Sequence, residues 1–451
     1  MSGRYEPLFR HVLFPLYESG LHRRGTLRHL AEAERNQWRS ADELAALRWK
    51  KLAGLLAHCW DEVPYYRRRW KELGLEPGDI RDETDYARLP MLGKDEIRAN
   101  FEDLHARSWR GRLSYKTTGG STGEPLRFGY TRESYERRIA AMWRGYAWAG
   151  ARMGRRTLYL WGAPIVQASP RQAWKDRLYH AAFNRRMLNA FLMSEERMAE
   201  YAAAIERARP EVIVGYVGPL VRLAEWLRAE ARRPHRPQAI LGAAEALHAP
   251  QRALLEEVFG APAYDTYGCR EFMLIASECE QRRGLHTTAD HLHVEVANLQ
   301  PCHAGGESGD VVVTDLHNAG MPLLRYANGD MATPSTRSCA CGRGLPLLER
   351  IDGRRLDTLR TPSGHLLPGE YIVYAFLCVL SVKRYQVVQR EADTLDVTLV
   401  PGEGFGEATL EQIRGQMASA VGDAMKLRFH VVDDIPASAS GKFRVAICEL
   451  P

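Results

Sequence analysis

A short run of hydroxyl side chains and glycines carries the strongest chemical signal in this sequence. The run consists of Thr117, Thr118, Gly119, Gly120, Ser121, Thr122 and Gly123, and it is followed by Glu124 and Pro125. Glycine permits positive φ values and a close approach of the backbone, so consecutive N–H groups can converge on an anion, and the hydroxyls add further donors. A Walker A loop has a lysine after its final glycine, whereas this run has Glu124 there. The run therefore predicts a polyphosphate-binding loop of another type, with a flexible surface turn as the alternative.

Further segments combine acidic, aromatic and glycine residues that are suited to nucleotide chemistry. In chain order they are Gly242-Ala243-Ala244-Glu245, Asp265-Thr266-Tyr267-Gly268-Cys269-Arg270-Glu271, residues 324–330 ending at Asp330, Ile351-Asp352-Gly353-Arg354, and residues 435–444 with Gly441-Lys442-Phe443-Arg444. Taken singly, each segment is an ordinary strand end or loop. Their order and spacing carry the signal.

In this order the segments resemble the motifs of the adenylate-forming superfamily of acyl-CoA ligases. Within it, they resemble the phenylacetate-CoA ligase group, including the branch associated with capsule and exopolysaccharide biosynthesis. The resemblance covers the chain from about residue 45 to its end. It implies a large N-terminal AMP-binding domain over residues 1–351 and a small C-terminal lid over residues 352–451. It also implies that ATP and a carboxylic acid give an acyl adenylate and pyrophosphate, after which coenzyme A displaces AMP.

The resemblance implies a role for each motif in holding ATP. The glycine-rich run would hold the β- and γ-phosphates. Tyr267, followed by Gly268, would stack on adenine, and Asp265 would accept a hydrogen bond from its exocyclic amine. The opposite face of the adenine would be lined by Ala243, Ala244 and Glu245.

Other residues would contact the ribose and a metal ion. Asp330 would accept both ribose hydroxyls, which suits a carboxylate with two oxygens. Arg354 would add a ribose contact at the hinge before the lid. Glu271 would face a Mg²⁺ ion that bridges phosphate oxygens, and its alternative is a surface glutamate at a strand end.

Lys442 is the residue expected to promote adenylation. An ammonium placed between the incoming carboxylate and the α-phosphate would offset the charge that builds up in the transition state. The hinge departs from the family pattern, because Leu356 stands two positions after Arg354 and the acidic residue is Asp357. Coenzyme A is the acceptor that the resemblance implies, and an amine or a carrier-protein thiol stays open as the acceptor in an ATP-dependent amide or ester synthetase.

A group of cysteines and one histidine forms a second constellation. Its members are Cys279, His286, Cys339 and Cys341. This Cys₃His set suits tetrahedral Zn²⁺, and the phenylacetate-CoA ligase group looks similar here. Such an ion would be structural, because four protein ligands leave no position for substrate. Buried free cysteines are the alternative, and Cys302-His303 offers competing ligands.

The elements that must position these motifs follow an α/β pattern. Helical periodicity extends over residues 27–73 with an interruption at Val63-Pro64, and a second helix over residues 133–149 follows the glycine-rich run. Apolar runs over 157–161, 212–216 and 239–241 then alternate with helical stretches over 195–209, 220–231 and 250–259. Runs over 292–296 and 310–314 indicate a β-rich subdomain. The last hundred residues indicate a small α+β unit with strands over 385–390, 395–400 and 427–432 and a helix over 410–424.

Composition limits the classes of protein that fit. The 451 residues are 45% hydrophobic and 26% charged, with a net charge of +6, which is ordinary for a globular enzyme of two or three domains. No basic region interleaved with aromatic residues indicates nucleic-acid binding. No apolar run approaches the roughly 20 residues of a membrane-spanning helix, and no secretory signal is present. We therefore expect a cytoplasmic enzyme whose partners are small molecules, and a homodimer stays open.

The carboxylic acid itself is not specified by the sequence. An aromatic acid is what the resemblance implies. Trp143, Trp161, Tyr216 and Tyr264 are candidates for an aromatic pocket.

Overall fold

The computed structural model describes most of the chain in a single large sheet, flanking helices and a smaller C-terminal sheet. The described residues are 2–118, 126–162, 170–302, 305–362, 366–367, 369, 372, 376, 379, 381–421, 425–436 and 444–450. The helices are α1 (Ser2–Leu8), α2 (Thr26–Asn36), α3 (Ala41–Glu62), α4 (Pro64–Glu72), α5 (Glu83–Tyr86), α6 (Lys94–Ala99), α7 (Arg132–Trp148), α8 (Pro170–Ala182), α9 (Met198–Ala208), α10 (Val217–Ala229), α11 (Ala249–Phe259) and α12 (Glu407–Val421). Two π-helical segments, Phe9–Leu13 and Leu16–Leu21, continue α1, and short 3₁₀ turns lie at Pro77–Asp79, Arg107–Trp109, Ala190–Leu192, Glu195–Arg197 and Arg355–Asp357.

The strands form one large sheet, one smaller sheet and two hairpins. They are β1 (Ser114–Thr117), β2 (Arg127–Tyr130), β3 (Thr157–Trp161), β4 (Arg185–Asn189), β5 (Val212–Tyr216), β6 (Ala239–Ala243), β7 (Ala263–Cys269), β8 (Met273–Glu278), β9 (Leu285–Thr287), β10 (Leu292–Pro301), β11 (Glu307–Asp315), β12 (Tyr326–Ser335), β13 (Leu347–Arg354), β14 (Leu359–Arg360), β15 (Leu366–Leu367), β16 (Val382–Glu391), β17 (Thr394–Pro401), β18 (Lys426–Val431) and β19 (Ala446–Cys448). The large sheet has the order β10-β11-β12-β13-β9-β8-β7-β6-β5-β3-β4, and the C-terminal sheet has the order β18-β17-β16-β19.

Strand β7 joins a parallel half and an antiparallel half of the large sheet. Its first residues pair in parallel with β6, with Gly242 opposite Asp265. Its last residues pair antiparallel with β8, with Thr266 opposite Ser277. Strands β3 to β6 are parallel, while β8 to β13 are antiparallel. The predicted α/β order, followed by a β-rich subdomain, is confirmed.

The N-terminal helical region is interrupted once more than the sequence analysis predicted. The predicted break at Val63 and Pro64 is present, and Pro64 occupies the first position of α4, where its missing N–H costs nothing. A further break separates α2 from α3. Ser40 begins α3 with a capping box, in which its hydroxyl accepts from the Glu43 N–H and the Glu43 carboxylate accepts from the Ser40 N–H. The sequence analysis missed this second helix start because the apolar periodicity continues across it.

Two buried ion pairs attach α7 to the antiparallel half. Arg138 lies 2.8 Å from Asp315, which ends β11, and Arg144 lies 2.8 Å from Asp290, with all four side chains at most 5% exposed. Ser134 also donates to Asp315 at 2.6 Å. Removing one member of such a pair would leave a buried charge at a cost of about 3–5 kcal/mol. The helix that follows the glycine-rich run is therefore fixed to the sheet that carries the other motifs.

The C-terminal region is an α+β unit with its own core. Strands β16, β17 and β18 and helix α12 lie where the sequence indicated them. Val387, Leu395, Val397 and Ile413 are fully buried between the sheet and the helix. The proposed division between residues 351 and 352 falls within β13 and stays a prediction. Among the described residues, none of the helices is both long enough and apolar enough to cross a membrane.

Candidate active site

Two of the predicted nucleotide motifs, those around Tyr267 and Asp330, meet although they lie on non-adjacent strands of the large sheet. Strands β8, β9 and β13 lie between β7 and β12 in the sheet order. Nevertheless, the Tyr267 hydroxyl on β7 donates to Asp330 Oδ2 on β12 at 2.9 Å. The Tyr326 hydroxyl on β12 likewise donates to Glu271 Oε1, just after β7, at 2.8 Å. These two side-chain bridges join the strand ends into one site.

Asp330 is held by donors on one of its two oxygens. Oδ2 accepts from Tyr267 and from Asn328 Nδ2 at 3.0 Å, and Asn328 Nδ2 also lies 2.7 Å from the Tyr267 hydroxyl. Arg354, opposite Asp330 in the β12–β13 ladder, places Nε 4.0 Å from Oδ1. Among the described residues, Oδ1 accepts no hydrogen bond. Burial raises the pKa of Asp330, and the Arg354 charge opposes that shift.

Glu271 is 5% exposed and shares its environment with the buried Tyr326 ring. Burial and the neighbouring Glu271 charge raise the pKa of Tyr326 far above its ordinary value, so the phenol acts as a donor. The Glu271 carboxylate has two oxygens and only Oε1 is bonded to Tyr326. The alternative of a solvated surface glutamate is therefore wrong, although the metal-binding role stays a prediction.

Asp265 lies in a second acidic pair on the parallel side of β7. Its backbone N–H donates to Glu278 Oε2 at 2.8 Å, and Arg252 forms a bidentate pair with Glu278 at 2.9 Å. Burial, followed by the Glu278 charge, raises the pKa of Asp265 to about 7. The carboxyl can therefore both donate and accept near neutral pH.

The backbone around the adenine motif has little space for larger residues. A Cβ at Gly268 would lie 1.9 Å from the Met273 carbonyl oxygen. Ala244 adopts a positive φ of 67°, directly after Ala243 at the end of β6. Glu245 accepts from the Gly218 N–H at 2.7 Å, near the start of α10. At Gly268 and Ala244, the backbone conformation and the lack of space therefore favour small residues.

The glycine-rich run begins at a hairpin. Thr117 ends β1 opposite Arg127 of β2. The Thr118 N–H donates to the Leu126 carbonyl at 2.9 Å, and the Leu126 N–H donates to the Thr118 hydroxyl oxygen at 2.9 Å. The predicted phosphate-binding residues Gly119, Gly120, Ser121, Thr122 and Gly123 lie outside the described residues. The catalytic candidate Lys442 also lies outside them.

Lys116 precedes this run and was missed by the sequence analysis. Its half-buried ammonium lies over the Tyr135 ring at 4.4 Å and the Tyr130 ring at 5.2 Å. Burial, Arg138 and Arg270 lower its pKa. Among the described residues it has no carboxylate partner. The sequence signal was a lysine immediately before a polyphosphate-binding run that lacks its own.

The hinge carries two ion pairs. Arg355 donates to both oxygens of Asp310 on β11, at 2.5 and 2.6 Å. Asp357, the displaced acidic residue, accepts from Arg444 Nε. Arg444 closely follows the predicted catalytic lysine, so this pair connects the hinge to that part of the chain.

The aromatic candidates for an acid pocket do not all lie together. Trp161 and Tyr216 contact each other, with ring centroids 4.7 Å apart. Trp143 instead packs in the N-terminal core with Phe9 and Phe183. Tyr264 lies beneath the Arg282 guanidinium, 5.9 Å from its ring centroid.

The Cys₃His residues do lie together. The ligand atoms of Cys279, His286, Cys339 and Cys341 are all within 4.8 Å of one another. The sulfurs of Cys279 and Cys339 are 3.7 Å apart, and His286 Nε2 lies 3.3 Å from the Cys341 sulfur. A tetrahedral ion with Zn–S bonds of about 2.3 Å separates its sulfurs by about 3.8 Å. The donor set and its spacing fit such an ion.

A surrounding shell orients this cluster. His286 Nδ1 lies 3.1 Å from the Leu345 carbonyl, which leaves Nε2 as the metal-facing nitrogen. Arg343 pairs with both oxygens of Glu280 and donates to Gln37. The loop between β12 and β13 is thereby attached to the β8–β9 turn and to the N-terminal helices.

Comparison with known proteins finds similar sequences and a similar fold. Residues 359–449 match the family model of the CapK C-terminal domain. The phenylacetate-coenzyme A ligase of Thermus thermophilus is 28% identical over 364 residues, covering 79% of this chain and 80% of that protein. The enzyme of the same name from Escherichia coli is 26% identical over 343 residues, covering 73% and 76%. A crystal structure of 2-hydroxyisobutyryl-CoA ligase in the postadenylation state has a TM-score of 0.72 at 21% identity and covers 92% of both chains.

This chain is similar in sequence to the phenylacetate-coenzyme A ligases over most of its length. It has the fold of the adenylate-forming CoA ligases, with a large sheet-rich domain followed by a C-terminal domain. The family resemblance and the fold class predicted from the motifs are therefore confirmed. Asn328 and Tyr326 are site residues that the sequence analysis did not single out. They lie two and four residues before Asp330 on β12, where the pairing with β11 shifts register and Gly329 has a positive φ of 90°.

The raised pKa of Asp265 generates a pH-dependent prediction. Between about pH 4 and pH 7 the folded protein keeps a proton on Asp265 that the unfolded chain has lost, so this group makes the unfolding free energy fall as pH rises. Asp265→Asn has no titrating carboxyl here, so it lacks this fall in the unfolding free energy. We expect the stability of Asp265→Asn relative to wild type to rise by on the order of 1 kcal/mol per pH unit in this window, and to level off above it. Urea denaturation at several pH values measures the difference.

Asp433→Asn is the matched control, because Asp433 is exposed after β18 and forms no ion pair with a described residue. Its stability difference from wild type should not change across the window. If the stability difference between Asp265→Asn and wild type also stayed constant with pH, Asp265 would be ionised in the folded protein across this window.

Proposed function

We propose that this protein uses ATP to convert a carboxylic acid into an acyl adenylate and then transfers the acyl group to coenzyme A. The observation that carries the proposal is the junction of Asp330, Tyr267, Asn328 and Glu271 across non-adjacent strands. A carboxylate with an unused oxygen, beside the Tyr267 ring and a second carboxylate, suits a ribose, a base and a metal-bound phosphate chain. Sequence similarity to phenylacetate-CoA ligases over most of the chain supports the same reaction.

In the first step, an oxygen of the substrate carboxylate attacks the α-phosphorus and the bond to pyrophosphate breaks. Asp330 Oδ1 would accept from a ribose hydroxyl, while Tyr267 and Asn328 hold Oδ2 in place. Arg354, 4.0 Å away, would balance the carboxylate charge. Such positioning lowers the barrier because the reacting groups need not be ordered during the reaction.

The cofactor would be Mg²⁺, held in part by Glu271. The fit rests on hard oxygen ligands, which Mg²⁺ prefers together with substrate phosphates. When bound, the ion would neutralise charge on the phosphate oxygens. Tyr326 orients Glu271 by donating to Oε1. Lys116 would add a fixed positive charge at the base of the glycine-rich run.

In the second step, the coenzyme A thiol adds to the acyl carbonyl, loses its proton and displaces AMP. The relatives named above are coenzyme A ligases, which favours this acceptor. An aromatic acid is the substrate class that their names support. The match to a CapK C-terminal domain supports a place in polysaccharide-related acylation, as the motifs also implied.

Zinc is the structural metal that we propose for the Cys₃His cluster. It would crosslink the β8–β9 turn to the loop before β13, and so stabilise the strands that bring Arg354 to the site. Four protein ligands leave no position for substrate, so the ion would take no part in the reaction.

The reaction and the role of Lys442 are tested together by pyrophosphate exchange. Wild type should exchange labelled pyrophosphate into ATP when a suitable aromatic acid is present. Lys442→Ala should reduce this rate at least about a hundredfold, because a cation that stabilises the transition state is lost. Thiolysis of a presynthesised acyl adenylate should be largely spared.

Lys383→Ala is the control, since Lys383 is an exposed lysine of the same C-terminal region. Equal loss of both half-reactions in Lys442→Ala would indicate misfolding. The proposed activity would be refuted if the wild type showed no pyrophosphate exchange with any acid of a broad panel, with or without coenzyme A.

Ribose recognition predicts a second result. Asp330→Ala removes acceptors whose charge-assisted hydrogen bonds are worth roughly 1.5–3 kcal/mol each. Its affinity for ATP should fall by at least about tenfold, since about 1.4 kcal/mol corresponds to that factor. Calorimetric titration with Mg²⁺ present measures the affinity, and the melting temperature reports the fold. Asp433→Ala should bind ATP as wild type does; a folded Asp330→Ala that does so too would remove Asp330 from the site.

The zinc proposal predicts about one zinc per chain in purified protein, measured by elemental analysis. Cys341→Ser should lower both the zinc content and the melting temperature, because metal binding contributes to folding. Cys302→Ser tests the competing ligand and should leave the zinc content unchanged. Zinc-free wild type that melts at the same temperature as metal-loaded protein would contradict the proposal.

A further inference from the structure

Large apolar side chains are exposed on one part of the surface more than on any other part that the structure describes. Fourteen large hydrophobic residues are exposed in the described chain, and five of them lie on the N-terminal helical segment, residues 2–21. These are Leu8, Val12, Leu13, Leu16 and Leu21, with Leu16 63% and Leu21 74% exposed. Three more, Trp174, Leu178 and Tyr179, lie on α8, with Trp174 63% exposed. Two short elements thus hold eight of the fourteen.

The two elements pack against each other and form one surface. The Tyr5 hydroxyl donates to the Ala182 carbonyl at the end of α8, at 2.6 Å. The rings of Tyr17 and Tyr179 lie 6.1 Å apart. Phe9 and Phe14 point inward and are at most 3% exposed. The segment therefore already buries one apolar side in the core, and its exposed leucines form a second apolar side.

Exposed cations adjoin these apolar residues along the chain, and one exposed acid, Asp176, stands among them on α8. Residues 2–28 contain five arginines and two glutamates. Arg23 and Arg28 on this stretch, and Lys175 and Arg177 on α8, are exposed, and none of the four forms an ion pair with a described residue. We call the surface formed by residues 2–28 and α8 the basic apolar face.

We propose that the basic apolar face binds an anionic lipid surface and holds the enzyme at the membrane boundary. Helices with an apolar side and cations beside it lie in the interface, where leucine and tryptophan enter the headgroup region and arginine contacts anionic lipid. The charge disfavours a second copy as the occupant. A twofold contact would place the same basic residues against one another.

Vesicle binding by the full-length protein tests the proposal. Wild type should sediment with vesicles of phosphatidylcholine and phosphatidylglycerol at low salt, but not with phosphatidylcholine alone. High salt should release it, because charge attraction to the surface is screened. The double variant Leu16→Ser/Leu178→Ser should lose vesicle binding. Arg23→Glu/Arg28→Glu should lower the partition coefficient by about tenfold or more.

Leu73→Ser/Val431→Ser is the matched control, since these residues are exposed apolar side chains elsewhere, at 42% and 53%. It should bind vesicles as wild type does. All variants should keep the wild-type melting temperature and activity in solution, which separates this proposal from the catalytic one. Wild type that ignores phosphatidylglycerol vesicles, or Leu16→Ser/Leu178→Ser that binds them equally, would overturn it. So would a wild-type dimer, detected by sedimentation velocity, that this double variant dissociates.

Discussion

The contact between strands β7 and β12 is the constraint on which the site depends. In the flat order of the sheet these strands are separated by β8, β9 and β13, so their side chains could not meet. The Tyr267–Asp330 and Tyr326–Glu271 bonds nevertheless join them, so the antiparallel half of the sheet must curve. Between them, β9 has only three residues and pairs over a short stretch with both β8 and β13. The Cys₃His cluster joins the β8–β9 region to the loop between β12 and β13.

The side chains at and near β7 concentrate negative charge in a buried part of the protein. Asp330, Glu271 and Asp265 all lie near β7, and a triphosphate would add further negative charge. Burial and the Glu278 carboxylate already raise the pKa of Asp265 to about 7, a sign that the surroundings oppose ionisation. Cations must offset the repulsion between these carboxylates and a triphosphate for ATP to bind well. Burial raises the pKa of Asp330 and the charges of Arg354 and Lys94 oppose that rise, and Lys116 adds a positive charge immediately before the glycine-rich run.

The sequence predicted most of the elements and fewer of their contacts. Strands β3 and β5 lie where their apolar runs indicated, because buried parallel strands are continuously hydrophobic. Strand β12 was missed, because Gly329 and Pro334 interrupt it and its polar residues face the site. Motif order predicted that Asp330 and Tyr267 belong together. It could not show that Tyr267 bonds to Asp330, because that contact depends on how far the sheet curves.

The ion pairs at the hinge have unequal consequences for any movement of the C-terminal domain. Asp357 ends the turn Arg355–Asp357, so Asp357 and Arg444 both follow Arg355 in the chain, and their pair could persist in any rotation about that residue. Arg355 and Asp310 join the hinge to the large sheet, so rotation must break or stretch their bonds. Arg355 is 48% exposed, but Asp310 is only 9% exposed, so the pair holds a buried carboxylate. Any rotation that separated the two side chains would leave the buried Asp310 charge without its bidentate partner, and the pair therefore opposes such a rotation.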